Sequence, residues 1–322
     1  MTNTSSEQRA ADATDPFVHP ALFYHDTEEY VTAIVGFIRA GLADREPVAV
    51  AVPGPNLALI RNGLGSDADS VLLMDMAEEG RNPGRIIPCV LRAFADNYES
   101  GRVRIVGEPI WAGRSAEEYP ACVQHEALIN AAFTNRPVTI LCPYDTRHLD
   151  PAVLEDANAT HPVVIDHNGQ RLSTAYDPDR IVASYNLPLP KPPGTAQSFG
   201  FDATTLTYTR RRAVEYARCA GMVADRLIDF ELIVAEISTN SVVHGGGNGT
   251  LTLWIEDGRL HCRVRDAGHI TNTLAGRLPP SLFALHGRGL IMVNHLADLV
   301  RIHTDAKATT IEVHLTLKPP TQ

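Results

Sequence analysis

Three polar side chains stand four residues apart in the segment from Glu231 to Gly249, ELIVAEISTNSVVHGGGNG: Glu236, Asn240 and His244. Phe230, Ile233 and Ile237 recur at helical spacing, so the segment reads as an amphipathic helix with its apolar face on a core. The three polar residues then share another face and point the same way. A carboxylate in that row can take or orient a proton. An amide oxygen one turn later can ligate a hard cation such as magnesium, which takes oxygen ligands and phosphate oxygens. The following Gly245-Gly246-Gly247 lets backbone approach a ligand closely. Taken alone, the row is a solvated face and the glycines are a helix C-cap.

The segments that follow would complete a site. LTLWI, an Asp257-Gly258 turn and LHCRV read as a hairpin, and its second strand ends in Arg265-Asp266-Ala267-Gly268. A carboxylate at a strand end, followed by a glycine, can accept the exocyclic amine of adenine. His286-Gly287-Arg288-Gly289 then opens the apolar helix LIMVNHLADLV. Glycines ahead of a helix let backbone amides and the positive helix end face phosphates. Two strand-like runs, LVRIHT and TTIEVHL, close the order.

From Ala203 to Leu317 the sequence resembles the GHKL ATPase superfamily and, within it, the anti-sigma factor serine kinases. The first box of that family, Glu, three residues, Asn, three residues, His, is matched by Glu236, Asn240 and His244. By resemblance Glu236 is the catalytic base and Asn240 the magnesium ligand. The second box, Asp-x-Gly-x-Gly, is matched by Asp266 and Gly268 as the adenine-reading pair, but Ile270 replaces its last glycine. The third, Gly-x-Gly before a helix, is matched by Gly287 and Gly289, with Arg288 between them as a phosphate contact. Thr309 joins the ATP-binding set on the same ground. The helix-like Arg211 to Met222 resembles the first helix of these kinases. The resemblance implies ATP and Mg2+ as cofactors and a GHKL (Bergerat) α/β sandwich. It also implies dimerisation and two protein partners, a sigma factor and a STAS-type anti-sigma antagonist phosphorylated on serine.

The 322 residues allow two domains, each large enough to bury a core. A net charge of −10 without a Lys/Arg run argues against direct nucleic-acid binding. Five scattered cysteines with no C-x-x-C pair suit reduced thiols in a cytoplasm and no metal framework. The first fifteen residues read as a polar, disordered tail. No apolar run approaches a membrane span.

Between Pro16 and about Pro188, short apolar strands alternate with helices. VAVAV, VLLMD, RIVGE and VTILC are the strands; Asn56 to Gly63, Arg85 to Tyr98 and Ala116 to Asn135 are helix-like. The pattern implies a mostly parallel sheet with ligands at the carboxyl ends of its strands. No P-loop is present. Five stretches here resemble the MEDS sensory domain, a RecA-like module lacking the P-loop: His19 to Tyr24 with Glu29-Tyr30-Val31, Val52-Pro53, Arg81-Asn82-Pro83-Gly84-Arg85, Gly107-Glu108-Pro109-Ile110-Trp111 and Cys142-Pro143-Tyr144-Asp145. The resemblance implies a sensor of a small molecule, with hydrocarbon derivatives proposed for the family. Glu108 and Trp111, a charge beside an aromatic wall after a strand end, are the first candidates for its ligand, and Tyr144-Asp145 the next; each has an ordinary structural role as its alternative. The spacings of His19, His25, His125 and His148 fit no standard metal pattern.

The expected organisation is a RecA-like parallel-sheet sensor domain over 16–187, a stiff Pro-rich linker over 188–202 and the ATPase domain over 203–317. No long helical hairpin carrying a phosphoacceptor histidine fits between Pro188 and Ala203, so phosphate would pass to another protein. The function expected is a cytoplasmic anti-sigma factor with ATP-dependent serine kinase activity, controlled by the sensory half. A catalytically inactive sigma-binding module, suggested by Ile270, and an atypical histidine kinase are the alternatives.

Overall fold

The computed structural model describes residues 16–278 and 287–317. The tail expected over residues 1–15 and His286 of the glycine motif lie outside the described residues. The chain forms two compact units. Among the described residues, one holds 16–80 together with Cys89–Ala183, and the other holds Arg81–Pro88 together with those from Ser184 onward.

The first unit is built on a seven-stranded sheet of β1 (Pro20–Tyr24), β2 (Val48–Val52), β3 (Leu72–Asp75), β4 (Val103–Gly107), β5 (Val138–Asp145), β6 (Val163–Asp166) and β7 (Gly169–Leu172). Their order is β3-β2-β4-β5-β1-β6-β7, and every pairing is parallel except the β6–β7 hairpin. Valine and alanine fill β2 and all five of its residues are buried, as in a strand covered on both faces. The helix α1 (Thr27–Ala43) starts where the Asp26 side chain accepts the Glu29 amide, with Glu28 and Glu29 set against the positive helix end. It buries Tyr30, Ile34, Val35 and Ile38 in a core shared with β2, where Leu22, Val50 and Leu141 also lie. Helices α2 (Gly54–Leu64), α3 (Tyr119–Ala132) and α4 (Pro151–Thr160) complete the α/β alternation. The strand β1 pairs with both β5 and β6, so PALFY, whose opening proline argues against a central strand, is nonetheless central to the sheet.

The second unit is a five-stranded antiparallel sheet in the order β11-β12-β10-β9-β8, formed by β8 (Gln197–Asp202), β9 (Asn248–Glu256), β10 (Arg259–Asp266), β11 (Leu299–Thr304) and β12 (Thr309–Thr316). The strand β8 falls within the stretch read as linker. One face of the sheet is covered by α5 (Leu206–Cys219), α6 (Ala224–His244) and α7 (Gly289–Leu296), which share its core with Leu251, Leu253, Leu260, Cys262 and Val313. The β9–β10 hairpin turns at Asp257 and Gly258, with φ of 48° and 72°, the left-handed pair that a two-residue hairpin needs. Arg81–Pro88 belongs here as a strap. Asn82 donates to the Asn294 carbonyl at 2.8 Å and accepts the Gly84 and Val300 amides at 3.0 and 3.2 Å, while Arg277 donates to the Pro83 carbonyl at 2.9 Å.

Candidate functional site

The sequence of α6 sets its two faces. Phe230, Ile233, Val234 and Ile237 go into the core, so Glu236 and Asn240, half-buried, and His244, exposed, stand on the side away from it. Arg210 of α5 holds the turn that carries Glu236, donating to Ser238 Oγ at 3.0 Å, to the Ala235 carbonyl at 2.9 Å and to Thr239 Oγ1 at 2.6 Å. Burial pushes the Arg210 guanidinium down and the Glu236 carboxylate pushes it back up. Arg210 was not singled out in the sequence; only its place on the neighbouring helix reveals it.

Glu236, Asn240 and His244 line a cleft of about 690 Å³ whose walls also include Asp266, Gly268, Gly287, Arg288, Gly289 and Thr309. All nine of the residues picked from the sequence for nucleotide binding therefore meet in one place, contributed by α6, the end of β10, the start of α7 and the start of β12. Asp266 is held from two sides: Oδ2 accepts from Ser241 Oγ at 2.5 Å and Oδ1 accepts the Gly268 amide at 2.8 Å. A carboxylate has about four acceptor sites, so both bonds leave it able to accept from a further donor. Gly268 is needed for space, because a Cβ there would lie 2.9 Å from the His244 carbonyl oxygen and from Gly245 Cα. Gly245 is needed in turn, because its Cβ would overlap the Asp266 carboxylate. Thr309 donates to the Gly268 carbonyl at 2.9 Å and lies 2.8 Å from Thr304 Oγ1, tying β12 and β11 to the turn after Asp266.

At the other wall, Gly287 has a φ of 105°, in the region that favours glycine. Gly289 begins α7 and leaves no room for a side chain, since a Cβ would overlap Glu236 Oε2. Ile270, standing where the second box has a glycine, also lines the cleft, and its amide is tied to Thr304 Oγ1 at 3.1 Å. The set suits a magnesium nucleotide: hard oxygen donors on α6, a braced carboxylate at the base end and the amides of a helix start opposite. Ser241 was not singled out in the sequence, and Gly245, read there for close approach of backbone to a ligand, instead makes room for the Asp266 carboxylate. Ser241 lies in the core-facing row of α6, and its role depends on β10 ending beside it.

In the first unit the sensor candidates are not gathered together. Glu108 is buried: it accepts from Tyr30 Oη at 3.0 Å and from Asn56 Nδ2 at 2.9 Å. Burial pushes its carboxyl up to about 8, against the pull of the Asn56 and Tyr30 hydrogen bonds. Tyr24, Tyr30, Asn56 and Asp145 line a small cleft of about 150 Å³ at the carboxyl ends of the strands, with His25 and His148 at its rim. Trp111 instead stacks under the Arg114 guanidinium at 4.2 Å. Tyr144 is buried with its ring edge-on to Phe23 and His161. Tyr30 and Asn56 were not among the candidates chosen from sequence, since nothing in their local pattern marks them as partners of Glu108. Of the four histidines whose spacing fitted no metal pattern, His19 sits in a buried group with Glu126, Cys142 and His161.

Two domain families match this chain. Residues 18–162 match MEDS, the methanogen/methylotroph, DcmR sensory domain, and residues 199–315 match the histidine kinase-like ATPase domain. Among solved structures, the RsbU and RsbW domains of a Mycobacterium tuberculosis protein align over 40% of this chain and 34% of that one, at 20% identity and a TM-score of 0.31. The Acinetobacter baumannii histidine kinase AdeS aligns over 38% of this chain and 68% of that one, at 10% identity and a TM-score of 0.23. This chain thus spans about a third of the length of the Mycobacterium structure. No curated protein matches. Among the described residues no helix is long and apolar enough to cross a membrane.

Proposed function

We propose that this chain, in which a MEDS sensory domain is joined to a histidine kinase-like ATPase domain, is a cytoplasmic bacterial anti-sigma factor with ATP-dependent serine kinase activity. It holds a sigma factor inactive and transfers the terminal phosphoryl group of ATP to a serine of a STAS-type antagonist. The first unit controls this by binding a small molecule. The observation that carries the kinase half is the single cleft in which Glu236, Asn240, Asp266 and the Gly287–Gly289 turn meet. The choice of a protein acceptor is supported by the segment between Ser184 and β8, which among the described residues carries no helix. The anti-sigma role rests on the match of the three sequence boxes to that kinase family.

Each residue has a chemical task in this account. Asp266, fixed by Ser241 and Gly268, accepts the adenine amine, and Thr309 holds the turn that faces the ring. The Asn240 amide oxygen would hold magnesium, which when bound neutralises charge on the phosphates. His244 closes the α6 row beside it, and the Gly287 and Gly289 backbone with Arg288 covers the phosphates. Glu236 takes the proton of the attacking serine hydroxyl as ADP leaves. Phosphoryl transfer asks little of a protein beyond such positioning and charge stabilisation.

Incubation of the full chain with labelled ATP, magnesium and a STAS-type antagonist tests the reading. Acid-stable label on the antagonist, absent with the Glu236→Gln and Asn240→Ala variants, is the expected result. Acid-labile label would identify a histidine kinase. Sigma-factor capture without any transfer would leave the inactive binding module that Ile270 favours.

A further inference from the structure

Four side chains converge in the interior of the first unit, far apart in sequence and each from a different element: His19 ahead of β1, Glu126 on α3, Cys142 on β5 and His161 at the end of α4. All four are buried, none more than 1% exposed. His19 Nε2 lies 3.4 Å from Glu126 Oε2 and 3.4 Å from Cys142 Sγ, and His161 Nε2 lies 3.1 Å from the same Glu126 oxygen. A tetrahedral zinc ion with ligands at about 2.0–2.3 Å has ligand-to-ligand edges of about 3.3–3.8 Å. The two 3.4 Å spacings fall in that range and the 3.1 Å one lies just below it.

The tautomers point the same way. Asn130 donates its amide to the Ala127 and Thr160 carbonyls at 3.1 and 2.8 Å, which leaves its Oδ1 to accept from His19 Nδ1 at 3.2 Å. His161 Nδ1 lies 2.9 Å from the Ala157 carbonyl, which can only accept. Each imidazole thus spends its N–H outward and, when neutral, turns the Nε2 lone pair inward. Orientation of a histidine through the nitrogen it does not use for ligation is what surrounds metal-bound imidazoles. On the inward side Glu126 Oε2 faces the two imidazole Nε2 atoms at 3.1 and 3.4 Å, yet neither contact has the alignment of a hydrogen bond, and both Glu126 oxygens and His161 Nε2 are buried. Burying such atoms is unfavourable unless a charge or donor satisfies them.

We propose that His19, Glu126, Cys142 and His161 form a metal site in the MEDS domain, filled by zinc or a metal of its class with two imidazoles, one carboxylate and one thiolate. The site is closed: four protein ligands use up the tetrahedron and none faces solvent, so the ion holds the fold of the sensor and does not activate a substrate. It ties β1 and β5, the central strands, to the two helices that cover them. The cleft formed by Tyr24, Asn56 and Asp145 stands at the other end of those same two strands, at their carboxyl edge.

Purified full chain, prepared under reducing conditions, is assayed for metal by mass spectrometry, then unfolded with chelator and refolded with zinc or cobalt alone. The expected result is about one ion per chain, with cobalt giving thiolate charge-transfer and tetrahedral visible bands. Cys142→Ser should abolish the thiolate band and Glu126→Gln should weaken retention at least tenfold, while Asn240→Ala keeps the full zinc or cobalt content. Should a variant fail to fold, the wild-type cobalt spectrum decides alone. A chain that refolds to the same melting temperature without metal, and takes up neither zinc nor cobalt, would overturn the proposal. So would retention that Cys142→Ser and Glu126→Gln leave unchanged.

Discussion

Gly289 and Glu236, on two different helices, approach so closely that a Cβ at position 289 would overlap Glu236 Oε2. The glycine that opens α7 therefore does two things: it offers its amide at a helix start and it leaves space for the carboxylate on α6. Replacing it by alanine must move either Glu236 or the first turn of α7. Gly289→Ala is expected to lower phosphoryl transfer by about 100-fold, the scale of losing a positioned base. Nucleotide binding should weaken less. Single-turnover transfer measured beside ATP affinity separates the two effects, and an unchanged transfer rate would show that the overlap is relieved without cost.

Ser241 braces Asp266 from inside the core. Ser241→Ala removes one hydrogen bond to a charged acceptor, which is worth about 1.5–3 kcal/mol, so ATP affinity should fall about 10-fold or more. Asp266→Asn presents an amide where the adenine amine needs an acceptor, and the loss should be larger. A guanine nucleotide serves as the control, because neither change should reduce its already weak binding.

The buried carboxyl of Glu108 makes the first unit sensitive to pH. With its ordinary value of 4.5 raised to about 8 by burial, the folded state holds a proton on Glu108 that the unfolded chain releases. The stability this proton supplies is fully present below about pH 4.5 and is lost as pH rises through about 8. Glu108→Gln is neutral at every pH and keeps the bond from Tyr30. Its melting temperature relative to wild type should therefore climb between about pH 5 and pH 8.5. A constant difference across that range would mean that Glu108 is ionised in the folded protein.

Much of the cleft on α6 was legible because its residues lie in short local patterns. Glu236, Asn240 and His244 share a helix face by spacing alone, and Asp266 and Gly289 mark a strand end and a helix start. What the patterns could not give is what crosses between elements: Ser241 beside Asp266, Gly245 against the same carboxylate, Arg210 clamping α6 from α5. The sensor half was legible as alternating β and α, since VAVAV and VTILC are apolar runs, whereas β1 was missed. Its site was hidden for the same reason on a larger scale. Glu108 meets Tyr30 and Asn56, and His19 meets Glu126, Cys142 and His161, across separations that no spacing rule covers. Asn82 likewise read as part of the sensor sequence, yet its side chain is bonded to Asn294 and Val300 in the second unit.

The central claim is that the cleft between α6 and α7 is a working magnesium nucleotide site, and calorimetric titration of ATP into the full chain tests it most directly. Binding should occur, should tighten with magnesium in wild type but not in Asn240→Ala, and should be largely lost in Asp266→Asn. The absence of binding at about millimolar ATP, a free energy near 4 kcal/mol, would contradict the account, as would binding indifferent to both substitutions.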